Sequence, residues 1–102
     1  ESAKIITIDI SLISLREILP AVLRLLAPEG SVVALFKPQY ETRDPSILKH
    51  GVIQDSERRE ALREDFVLWL ESHGWKIVEW IVSPIQGGKG NTEFLFHLTC
   101  GS

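Results

Sequence analysis

Apolar positions along the chain fall into runs whose spacing alternates between that of a strand and that of a helix. Lys4-Ile-Ile-Thr-Ile-Asp-Ile10 reads as a buried strand. Ser14-Leu-Arg-Glu17 then has the form of a helix-capping box. It leads into Leu15, Ile18, Leu19, Val22, Leu23 and Leu26 at helical spacing. Pro20 falls inside this run and predicts a kink, or a helix that properly begins nearby. Ala27-Pro28-Glu29-Gly30 should stop the helix. Ser31 to Phe36, all apolar after the serine, should be a strand covered by helices on both faces.

Residues 38 to 55 show no clear periodicity and carry Pro38, Pro45 and Gly51, which predicts a long, functional or mobile connection. Asp55 or Ser56 caps a helix with Leu62, Phe66, Trp69 and Leu70 on one stripe. Glu57, Arg58, Arg59, Glu60, Arg63 and Glu64 then fall mostly on the solvated side, and Gly74 ends the helix. Lys76 to Val82 and Thr92 to Thr99 read as strands joined by the glycine-rich Pro84 to Asn91. The order is βαβαββ. The last connection is too short for a crossover, so the fold class is α/β, a parallel sheet with one antiparallel strand.

At 102 residues the chain is one domain or part of one. The net charge of −3 gives no chain-wide attraction to phosphates, so any contact with nucleic acid must be local. The lone Cys100 cannot form an internal disulfide, which fits a reducing cytoplasm. No apolar run approaches the roughly 20 residues of a membrane span. The abrupt start in a strand suggests a piece of something larger. With a single cysteine and no ligand spacing, no metal site is expected.

Chemistry concentrates at predicted strand ends. Lys37 follows the apolar Val32 to Phe36 and is stopped by Pro38. In open α/β sheets ligands bind beyond the carboxyl ends of the strands. The alternative is a lysine that snorkels to solvent. Asp9 ends the first strand on the same edge. If the last strand is antiparallel, Glu93 at its start joins them. Gly87-Gly-Lys-Gly90 lacks the spacing of a phosphate-binding loop and reads as a flexible connection.

Four ordered blocks carry a specific resemblance: Asp9-Ile-Ser-Leu-Ile-Ser-Leu15, Val33-Ala-Leu-Phe-Lys-Pro-Gln-Tyr-Glu41, Gly51-Val-Ile-Gln-Asp55 and Ser83-Pro-Ile-Gln-Gly-Gly-Lys-Gly-Asn-Thr-Glu-Phe-Leu95. Together they resemble the haemolysin A (TlyA-type) family of bacterial S-adenosylmethionine-dependent ribosomal RNA ribose 2′-O-methyltransferases, which have an FtsJ-like catalytic domain. The resemblance implies the C-terminal half of a Rossmann-like methyltransferase fold over residues 1–102. The first strands, the glycine-rich cofactor loop and the RNA-binding N-terminal domain have no counterpart here. It also implies catalytic roles for Asp9, Lys37 and Glu93, three members of a Lys-Asp-Lys-Glu tetrad whose first lysine has no counterpart. Asp9, Ile10 and Ser11 would lie against S-adenosylmethionine. Arg43, Lys49, Lys89 and Asn91 would be the candidates for contact with RNA, with His50 a further loop charge, and Asn91 would alternatively pin the turn that presents Glu93.

The residue types suit that chemistry. A ribose hydroxyl becomes a good nucleophile when an uncharged amine withdraws its proton, and Lys37 is the candidate base. Asp9 and Glu93 would orient the lysines and the hydroxyl, although carboxylates also favour the charged amine. The implied enzyme is the full-length cytoplasmic parent acting on ribosomal RNA, with the isolated chain inactive and binding the cofactor weakly or not at all. A haemolysin or pore former, and a non-catalytic binding module, are the alternatives. Removal of the preceding strands would leave residues 4 to 10 as a bare edge, which predicts self-association.

Overall fold

The structure is a computed structural model that describes residues 3–85 and 88–100. Strand β1 (Ala3–Ile8) is followed by helix α1 (Leu15–Leu25), strand β2 (Leu26–Phe36) and the single helical turn α2 (Pro38–Glu41). After a 3₁₀ turn at Pro45–Ile47 come the short strands β3 (Leu48–Lys49) and β4 (Val52–Ile53) and the long helix α3 (Ser56–Ser72). Strands β5 (Trp75–Val82) and β6 (Phe94–Cys100) complete the chain. The main sheet has the order β1-β2-β6-β5. β1 and β2 are parallel, and β6 is antiparallel to both of its neighbours. This is the mixed α/β sheet that the βαβαββ pattern implies.

Helices α1 and α3 cover one face. Val32, Ala34 and Phe36 of β2 and Phe94, Phe96 and Leu98 of β6 form one buried cluster with Leu15, Leu19 and Val22 of α1 and Phe66 and Leu70 of α3. Period-2 and period-3.6 apolar positions thus meet in a single layer. Phe66 stacks on Phe36 with ring centroids 4.6 Å apart and meets Phe96 edge-on at 5.1 Å. Truncating it to alanine would cost about 3–5 kcal/mol.

The strands' other face departs from the expectation of two covered faces. Ile5 and Ile81 are exposed, and Val33, Leu35 and Leu95 are only half-buried. The apolar alternates are present, but no helix among the described residues lies over them.

Other differences are local. β2 begins at Leu26 rather than Ser31, because Ala27-Pro28-Glu29-Gly30 runs extended and Ala3 pairs with Leu26 before a register shift. A Cβ at Gly30 would lie 2.9 Å from the Lys4 carbonyl oxygen, so this approach of β1 requires glycine. Helix α1 starts at Leu15, as the Ser14 cap requires, and passes through Pro20, whose ring lies on the exposed side. Residues 38 to 55 are not structureless, since they hold α2, a 3₁₀ turn and the β3–β4 hairpin. Arg63 is not on the solvated side. Its guanidinium sits 4.2 Å from the centroid of the Trp80 ring and pairs with Glu60 at 2.5 Å, because the bare end of β5 offers an aromatic face to cover.

Candidate functional site at the strand ends

The parallel pairing brings the ends of β1 and β2 to one rim, and Phe36 pairs with Phe94, so the residue before β6 reaches the same rim. Asp9, Lys37 and Glu93 all lie there. Lys37 is the N-cap of α2, held extended because Pro38 follows it. Its Nζ lies 2.6 Å from Asp9 Oδ1 and donates to Ser11 Oγ at 3.2 Å. The lysine side chain is 14% exposed and the aspartate 69%, so the pair closes over the lysine and leaves the carboxylate in water.

Glu93 is held differently. It is 3% exposed, and its Oε2 accepts from Gln39 Nε2 at 2.7 Å. No motif in the sequence singles out Gln39. Its signal was the alternation of polar side chains at 37, 39 and 41 flanking Pro38. Glu41 is the third and is also buried. Its carboxylate accepts from Ser14 Oγ at 2.5 Å and from the Leu15 N–H at 2.8 Å, which covers a free donor at the start of α1. Burial pushes the Glu41 carboxyl up from its ordinary value of 4.5, against the opposing pull of these two donors.

The segment between Asp9 and Ser14 is tightly turned. Leu12 adopts a left-handed backbone conformation (φ 75°) with its side chain 81% exposed, which is uncommon for a leucine. No periodicity could have flagged it. Ile10 packs against the core, while Ser11 is exposed and engaged by Lys37. Asp9, Ile10 and Ser11 thus form an apolar-and-acidic strand end. An exposed carboxylate and a hydroxyl of this kind suit a ligand that carries positive charge and hydroxyl groups.

The RNA candidates divide. Lys49 and His50 stand exposed at the β3–β4 hairpin, and Lys89 lies over its turn, with its Nζ 3.0 Å from where a Cβ at Gly51 would sit. His50 and Lys89 both have positive φ. Arg43 is exposed and lines a cleft of about 1020 Å³ between the start of α1, the 42–47 turn and α3, walled also by Arg16, Arg58 and Trp69. Asn91 is engaged within the chain. It is 4% exposed, accepts from the Ile53 N–H at 3.1 Å and donates to the Gly51 carbonyl at 2.9 Å. Its buried amide pins the hairpin to the run that leads to Glu93. The Gly87-Gly-Lys-Gly90 reading begins at a residue outside the described ones.

Other features settle without chemistry. His97 Nε2 lies 3.1 Å from Ser31 Oγ, and His73 stacks on Trp69 at 4.2 Å at the end of α3. Among the described residues no group of histidine, cysteine, aspartate or glutamate could hold a metal ion, and no helix is long and apolar enough to cross a membrane.

Comparison with known proteins agrees with this architecture. A model of the FtsJ-like methyltransferase family matches residues 1–100. YqxC of Bacillus subtilis is 40% identical over 90% of this chain and 33% of its own length. Hemolysin A of Brachyspira hyodysenteriae is 35% identical over 95% of the chain and 40% of its own length. The 16S/23S rRNA (cytidine-2'-O)-methyltransferase TlyA of Mycobacterium tuberculosis is 30% identical over 92% and 35%. A solved Streptococcus thermophilus protein described as a candidate hemolysin superposes with a TM-score of 0.90 at 38% identity, covering 97% of this chain and 36% of that one. The chain therefore spans about a third to two fifths of the length of these relatives. The mixed sheet, the rim at its strand ends and the family model matched over residues 1–100 lead to one conclusion: this chain belongs to the FtsJ-like methyltransferase family.

Proposed function

We propose that residues 1–102 are the carboxy-terminal part of the catalytic domain of an S-adenosylmethionine-dependent ribosomal RNA ribose 2′-O-methyltransferase, active in the cytoplasm as a longer protein. The observation that carries this reading is the gathering of Lys37, Asp9 and Glu93 on one rim, with Lys37 Nζ 2.6 Å from Asp9. The relative named for cytidine 2′-O-methylation supports the reaction type.

When bound, the cofactor supplies a methyl group on a sulfonium. Asp9 and Ser11 would hold its charged and hydroxyl groups while Ile10 backs it. Lys37 would receive the proton of the ribose 2′-hydroxyl, freeing that oxygen to take the methyl group the cofactor would supply. The 2.6 Å contact with Asp9 and the bond to Ser11 fix where the Lys37 amine stands at the rim. Glu93 orients the hydroxyl. Lys49 and Lys89 at the hairpin, together with Arg43, contact RNA phosphates.

The test is methyl transfer from labelled cofactor to ribosomal subunits by the full-length parent. Lys37→Ala should lower the rate by at least about 100-fold, as expected for loss of a general base. Retained activity would remove Lys37 from that role. The isolated chain should transfer no methyl group and bind the cofactor weakly or not at all.

The name Hemolysin A on one relative favours a second reading, lysis of membranes. Dye release from liposomes by the purified parent would support it. The isolated chain should also self-associate through β1, an edge of the sheet with Ile5 70% exposed. A purely monomeric sedimentation profile at high concentration would rule this out.

A further inference from the structure

We propose that Gln39 is a positioning residue that acts on methyl transfer through Glu93; this rests on the function proposed above. Turn α2 is closed by its own backbone. Pro38 sets its first position, Tyr40 N–H donates to the Lys37 carbonyl at 2.9 Å, and Thr42 N–H donates to the Pro38 carbonyl at 3.1 Å. From it three side chains reach three different elements. Lys37 goes to Asp9 and Ser11 after β1, Gln39 to Glu93 before β6, and Glu41 to Ser14 and Leu15 at the start of α1. The turn therefore fixes the base candidate and the glutamate relative to one another.

Chemistry fixes the orientation of the Gln39 amide. A carboxylate oxygen accepts and an amide nitrogen donates, so the Gln39 nitrogen faces Glu93 Oε2. The amide oxygen then points elsewhere, buried and without a hydrogen-bond partner among the described residues. An unmet buried acceptor weakens a fold, and an apolar side chain of similar volume would avoid that cost. The favourable contact of this amide is thus the one at 2.7 Å to Glu93. That contact holds the carboxylate of a residue that is 3% exposed in a single orientation at the rim. Without the donor the carboxylate would turn toward water or toward the Lys37 ammonium, and the hydroxyl of the substrate would lose its alignment.

The experiment is a double-mutant cycle on the full-length parent, with methyl transfer to ribosomal subunits as the readout and circular dichroism to select folded variants. Gln39→Leu should lower kcat by about 10- to 100-fold with KM for the RNA changed less than about threefold, as misalignment of reacting groups predicts. In a Glu93→Gln background the same substitution should cost less than about twofold, because the residue it acts through is already altered. If Gln39→Leu does not fold, Gln39→Met removes the donor with less change of shape. An unchanged kcat, a loss confined to KM, or additive losses in the double variant would each overturn the positioning role while leaving the function intact. A wild-type protein that transfers no methyl group would remove the functional reading and this inference with it.

Discussion

Two carboxylates share the rim and live in opposite surroundings. Asp9 is 69% exposed and pairs with a lysine, whereas Glu93 is 3% exposed and is held by a neutral amide. An ion pair in water contributes about 0–1 kcal/mol, because solvent already satisfies both charges. A buried carboxylate has no such recourse and depends on the donor beside it. Fold stability should therefore respond strongly to changes around Glu93 and weakly to changes around Asp9, even though both are assigned to the same reaction.

The largest expected effect breaks the buried side of the comparison. Gln39→Leu leaves Glu93 buried without that donor and should lower unfolding free energy by about 2–3 kcal/mol in urea titrations of this chain. The double variant Gln39→Leu/Glu93→Leu removes both polar groups and should return to within about 1 kcal/mol of wild type, since apolar replacement of a buried polar pair is often close to neutral. A double variant as unstable as the single would show that the cost lies in packing rather than in the orphaned charge.

An intermediate effect comes from Glu41, buried like Glu93 but satisfied by two donors. Burial raises its folded pKa above the ordinary 4.5, so the folded state binds the proton more tightly than the unfolded chain. Where the folded state binds more protons, stability falls as pH rises. Below 4.5 Glu41 is protonated in both states and costs nothing. The cost develops as pH climbs from 4.5 through the raised folded value. The stability of wild type relative to Glu41→Gln should therefore decline over that window in urea midpoints measured from about pH 4 to about pH 7. A flat difference would mean that Ser14 and Leu15 fully offset the burial.

Much of this architecture is legible in the residues. The Ser14 and Asp55 caps, the Phe66 and Leu70 stripe and the antiparallel last strand follow from spacing and loop length. The rim follows too, because a strand direction fixes which edge its last residue reaches. Three things do not. Sheet coverage is a property of what packs on the apolar alternates, and Val33, Leu35 and Leu95 read the same whether or not a helix lies over them. The short contacts within residues 38 to 55 depend on tertiary partners: Asn91 pins β3–β4 from 38 residues away. Polar residues that serve other polar residues, as Gln39 serves Glu93, leave no periodic trace, since neither partner predicts the other's depth of burial.

The smallest effect sharpens the comparison from its exposed side. Asp9→Asn removes the charge facing Lys37 Nζ at 2.6 Å but keeps an oxygen that can accept. With the aspartate 69% exposed, water and salt already screen the pair, so the unfolding free energy should change by less than about 0.5 kcal/mol. The residual difference should shrink further as salt is raised from 0.1 to about 1 M, because the Debye length falls from about 10 to about 3 Å. Lys37 is only 14% exposed, which is the one feature pulling the other way: its stem is packed even though its partner is not. A loss above about 1 kcal/mol that persists in high salt would mean that this depth, not the solvation of Asp9, governs the pair. The two acids of the rim would then draw on the same physics.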